Sequence, residues 1–75
     1  MTTDVCTVMT TCGSEETALT IAAALVDQAY AGCVNILPII KTYYYSKGET
    51  HRHEEYMLII KTTRGLFPLV SEVIT

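Results

Sequence analysis

Two imidazoles stand two residues apart in the run His51-Arg52-His53-Glu54-Glu55, followed by two carboxylates. Side chains of an extended chain alternate between faces, so His51 and His53 share one and offer paired nitrogens to Cu(II), Ni(II) or Zn(II). Glu54 or Glu55 can add an oxygen. An imidazole binds a metal only when neutral, so a site of this kind weakens in acid. Two histidines are weak evidence for a site, and the pair also reads as an exposed, solvated feature near a hairpin tip. Met9-Thr10-Thr11-Cys12 lies where a strand should meet a helix. Soft thiolates suit Cu(I), and a helix N-terminus favours the thiolate. In a Met-x-Cys-x-x-Cys copper motif the second thiolate would fall at Glu15, and the spacing from Met9 does not match. Cys12 is therefore either an ordinary turn residue or a single soft ligand. Cys6 and Cys33 fall inside strands and read as core packing.

Tyr43, Tyr44 and Tyr45 can form an aromatic platform for a ligand or a packing stripe between subunits. Lys61 interrupts an apolar strand, where it either snorkels at the strand end or pairs with a carboxylate such as Glu55. Tyr44, Glu55 and Lys61 form the candidate set for a small anion or nucleotide in a subunit-interface pocket. No nucleophile, base and orienting group can be assembled, and there is no glycine-rich phosphate loop. An acylphosphatase needs an arginine in its first phosphate loop, and residues 10–14 contain none. The expectation is a protein that is not an enzyme.

The elements that must position these groups follow from local pattern. Residues 5–10 are rich in β-branched side chains and predict a first strand. Ser14 is a good N-cap, with Glu15 and Glu16 at the positive end of the helix dipole. Ala18, Ile21, Ala22, Leu25 and Ala29 then make one apolar stripe, predicting a helix to about Tyr30 with Gly32 as its stop. A second strand is expected over residues 33–37, interrupted at Pro38 by a bulge or open edge, and resuming over 39–45. Ser46-Lys47-Gly48-Glu49 reads as a hairpin turn with Gly48 at positive φ. A third strand should cover residues 53–62, and a second helix should open near Gly65 with Pro68 in its first turn.

The order β-α-β-β-α implies a right-handed crossover that leaves the third strand between the first two. The fold class is α+β, a ferredoxin-like split βαββα(β) sandwich whose last strand is missing. Residues 1–75 read as one such domain, C-terminally incomplete, with a bare edge on its first strand. Helices cover one sheet face only, yet residues 56–60 are apolar on both. A second copy of the sheet is expected to cover the other face.

With 75 residues, five basic and eight acidic, the net charge of −3 leaves no basic face for nucleic acid. Three cysteines make no disulfide scaffold. Met1-Thr2-Thr3-Asp4 lacks a signal-peptide start, and no run approaches the roughly 20 apolar residues of a membrane span. A cytoplasmic protein with reduced thiols is expected.

Cys33-Val34-Asn35-Ile36-Leu37-Pro38, then Tyr44, Lys47-Gly48-Glu49, Glu54-Glu55, Ile59-Ile60-Lys61-Thr62-Thr63 and Phe67-Pro68 resemble the CutA divalent-cation-tolerance proteins. The helix opening Ser14-Glu15-Glu16-Thr17-Ala18 is similar as well. The resemblance spans essentially the whole chain. It implies a ferredoxin-like subunit, an interlocked homotrimer, and a role in metal-ion tolerance with copper binding. Copper or another divalent cation is expected to be weakly bound, and folding is not expected to require it. Ser46 departs from the family's usual Trp. The cysteine implicated in copper binding in bacterial relatives aligns with Thr10, and the His-Pro-Tyr segment and Glu that complete that site lie past Thr75. A trimeric signalling module of the PII type is the alternative, with a nucleotide or small anion between subunits.

Overall fold

The polypeptide enters its first strand, β1, at Val5–Cys12 and leaves it at Gly13 for helix α1, Glu15–Asp27. The computed structural model describes residues 4–75; residues 1–3, part of the segment that shows no signal-peptide start, lie outside it. Ser14 is the N-cap as expected. Its extended backbone turns the side chain so that Oγ accepts the Thr17 N–H at 3.2 Å, with Glu15 and Glu16 in the first turn. The helix ends earlier than its apolar stripe predicts. Ala29, not Gly32, turns the chain, with φ of 59°. Its N–H donates to the Val26 carbonyl at 3.0 Å and the Tyr30 N–H to Leu25 at 2.9 Å, a Schellman closure built on alanine. Gly32 instead brings its N–H to the Lys61 carbonyl at 3.0 Å, starting the next ladder.

Strand β2 spans Cys33–Ser46 and β3 spans Glu49–Thr63. They pair antiparallel from Cys33↔Lys61 to Ser46↔Glu49, with one irregularity between Leu37 and Ile40. There Pro38 and Ile39 stand opposite Tyr56, so the bulge anticipated at Pro38 is present and the strand does not break. Ile39 takes φ of 54° at this point. Lys47 and Gly48 have φ of 53° and 78°, the two positive values of a two-residue I′ turn. That turn makes pairing begin at Glu49, four residues before the expected start of the third strand. β1 likewise runs to Cys12, because β3 supplies a partner as far as Tyr56.

The sheet order is β1-β3-β2, with both pairings antiparallel, so the third strand lies between the first two as expected. A 3-10 turn at Arg64–Leu66 leads to α2, Phe67–Ile74, with Pro68 in the first turn. This is the ferredoxin-like βαββα arrangement. Ala18, Leu25, Ala31, Leu58, Ile60 and Val70 form the buried core between sheet and helices. Thr62 is buried too, and its Oγ1 donates to the Tyr30 carbonyl, tying the α1 exit to the central strand. The molecule is elongated, 50 × 23 × 18 Å, because the β2–β3 hairpin runs past the helices.

Candidate functional site

Pairing fixes which side chains share a face. Leu58, Ile60 and Thr62 are buried under the helices, so the even-numbered residues of β3 face them. The odd-numbered ones, His51, His53, Glu55, Met57, Ile59 and Lys61, line the open face. On β2, Ile36 pairs with Leu58 on the covered side; the bulge then reverses the parity, so Ile40, Thr42 and Tyr44 join the open face. Tyr43 and Tyr45 point the other way. Both are well exposed.

Tyr44 pairs directly with His51, and Thr42 with His53. The Tyr44 ring stacks on His51, centroids 5.1 Å apart and planes 17° from parallel. It meets His53 edge-on at 5.3 Å and 74°. Tyr44 Oη lies 3.2 Å from His53 Nε2, within hydrogen-bond distance. The sequence pattern paired the two histidines with each other; their convergence on Tyr44 escaped it. The signal was present in Lys47-Gly48, since a two-residue turn there makes Tyr44 and His51 cross-strand neighbours.

The other candidates stand apart from this cluster. Cys12 pairs with Tyr56 on the covered face, three residues from His53 and so about 10 Å along the strand. Its thiol donates to the Ser14 carbonyl at 3.5 Å. Glu55 pairs with Ile40, and Lys61 pairs with Cys33 on one side and Thr7 on the other. Six residues of extended strand separate Glu55 from Lys61, roughly 20 Å, so the two do not pair within a subunit. Lys61 is exposed. Cys6 is partly buried on the covered face, but Cys33 is exposed on the open one, with Sγ 3.8 Å from Asn35 Oδ1. Cys33 lies in a strand as expected, but on the uncovered face rather than in the core. Among the described residues no three His, Cys, Asp or Glu side chains converge.

The open face is also apolar near the body. Met9 is 66% exposed and Leu37 37%, with Met57 and Ile59 half-buried between them.

The sequence model of the CutA1 divalent ion tolerance protein matches residues 6–75. The chain belongs to the CutA1 family. It is 45% identical over 65 residues to the divalent-cation tolerance protein CutA of Thermus thermophilus, covering 87% of this chain and 63% of that protein. The solved Cut A1 structure from Thermus thermophilus superimposes with a TM-score of 0.84 at 43% identity, covering 91% of this chain and 66% of that one. CutA1 from Ehrlichia chaffeensis gives 0.91 at 27% identity, covering 99% and 69%. The chain spans less than two thirds of the length of the curated CutA relatives it matches, 36% for the human protein. CutA relatives are named from more than one compartment: that of rice is chloroplastic, and that of Archaeoglobus fulgidus is described as periplasmic. Among the described residues no helix is long and apolar enough to cross a membrane.

Proposed function

We propose that this CutA1-family chain is a non-enzymatic, cytoplasmic metal-response subunit that binds Cu(II) weakly through His51 and His53 and works as a homotrimer. The observation that carries the reading is the placement of both imidazoles on one exposed strand face beside Tyr44, with His53 Nε2 directed at a polar group. Nitrogen donors of this type suit Cu(II) best among the divalent first-row ions. Cys12, on the other face and partly buried, is the soft group that Cu(I) would prefer. The homotrimer reading draws on the apolar strip of the open face, which the helices leave uncovered. A further strand from outside these 75 residues would complete the ferredoxin-like sheet on β1, which pairs with β3 along one edge only.

Calorimetric titration with Cu(II) tests the site. Wild type should bind with modest affinity, and the double variant His51→Ala/His53→Ala should lose that binding. Unchanged affinity in the double variant would return the histidines to the solvated-surface reading. A parallel titration with ATP tests the alternative in which Tyr44, Glu55 and Lys61 of different subunits hold a nucleotide. Saturable ATP binding without Cu(II) binding would favour that module.

A further inference from the structure

We propose that the Cu(II) site on the hairpin is a three-ligand site, in which the Tyr44 phenolate joins His51 and His53. The inference rests on the reading that the histidine pair is the metal site, and it adds the ligand that sets its chemical class.

Three observations carry it. First, Tyr44 Oη and His53 Nε2 are 3.2 Å apart. Oxygen and imidazole ligands each sit about 2.0–2.1 Å from a small divalent ion, so two adjacent ligands in the tetragonal geometry that suits Cu(II) are roughly 2.9 Å apart. The observed separation is close to that chelating distance, so a small side-chain adjustment lets a metal take the place of the shared proton. Second, the same phenol ring is stacked on His51. It therefore contacts both imidazoles, and the three rings form one cluster held by a two-residue turn and by the uninterrupted pairing of residues 40–46 with 49–55. Third, Tyr44 alone of the three consecutive tyrosines is on this face; Tyr43 pairs with Arg52 and Tyr45 with Thr50 on the other. Glu55 follows His53 on the open face, but it pairs with Ile40 farther from the turn, so the phenol is the nearer oxygen.

On binding, the phenol O–H bond breaks, its proton passes to solvent, and the phenolate oxygen forms a bond to Cu(II). No electron is transferred. Two nitrogens and one anionic oxygen favour Cu(II) over Zn(II) or Ni(II).

The test is absorption spectroscopy with parallel calorimetry on the 75-residue chain, adding Cu(II) alone. Wild type should develop a visible phenolate-to-Cu(II) charge-transfer band. Tyr44→Phe keeps the ring stacked on His51 and should lose the band, with Cu(II) affinity about tenfold weaker. The double variant Tyr43→Phe/Tyr45→Phe should keep both band and affinity. A Tyr44→Phe protein with unchanged spectrum and affinity would overturn the phenolate assignment, while loss of binding in His51→Ala/His53→Ala would still uphold the histidine pair. A wild-type protein that binds Cu(II) with no such band also overturns the inference. Binding unaffected by the histidine double variant defeats the underlying reading instead.

Discussion

The β2–β3 ladder passes through two environments. Near the body, Val34, Ile36, Leu58 and Ile60 pack beneath α1 and α2, and Leu58 and Ile60 are fully buried. Beyond the bulge at Pro38 and Ile39 the same two strands continue to the turn with no helix above them, and Tyr43 and Tyr45 are 64% and 74% exposed. The two strands pair on both sides of that bulge. The inner half is held by apolar burial, which penalises any slip in register because a one-residue shift reverses every side chain. The outer half has little burial to lose, and its register comes from the I′ turn and the bulge. Side chains there are free to be chosen for ligands, and the His–Tyr–His cluster lies in that half.

Several substitutions can break or sharpen this contrast. The largest effect is expected on assembly. Ile59→Asp puts a carboxylate in the middle of the uncovered apolar strip and should abolish the trimer. Sedimentation equilibrium should show three copies of the 8.3 kDa chain for wild type and one for the variant. A wild-type protein that sediments only as a single chain at micromolar concentration would refute the homotrimer. Next is the core: Leu58→Ala should cost about 2–5 kcal/mol in urea unfolding, since it deletes a fully buried side chain between sheet and helices. A cost below about 1 kcal/mol would mean that burial does not anchor the inner ladder.

Thr62→Val keeps the shape but leaves the Tyr30 carbonyl without its donor, and a loss of about 1 kcal/mol is expected. Ile39→Gly should act in the opposite direction. A β-branched residue at φ of 54° is in the left-handed region, and Ile39 is 56% exposed, so little burial is lost. Relief of that conformation should stabilise by about 1 kcal/mol, read as a rise in the urea midpoint. No change or a fall would show that the isoleucine side chain is packed in the assembled protein. The smallest effect is expected for His51→Ala/His53→Ala without metal, within about 0.5 kcal/mol of wild type. A larger loss would make the histidines structural.

Much of the fold was legible wherever local chemistry and burial agree. The Ser14 cap, the α1 stripe, the apolar run of residues 56–60 and the Lys47-Gly48 turn each carry their own signal, and together they imply the βαββα order. The errors fall where a local preference was overridden. Alanine is a good helix former, so the stripe predicts a helix through Ala29, yet backbone bonds to Leu25 and Val26 close the helix there. Polar residues 49–52 carry little strand signal, yet the tight turn forces them to pair. Cys33 lies in a strand as its pattern predicts, but no helix covers its face.

The sequence by itself determined the elements, their order, the sharing of a face by His51 and His53, and the family. Those depend on periodicity, turn chemistry and residue identity, all of which are local or one-dimensional. Only the tertiary structure decided that Tyr44 contacts both histidines, that Cys12 is on the opposite face and three residues farther along the ladder, and that Glu55 and Lys61 do not meet within a subunit. Those facts depend on strand register, which a turn and a one-residue bulge set jointly. Moving either by one residue would leave the composition and the apolar pattern almost unchanged while placing every side chain of the hairpin beside a different partner.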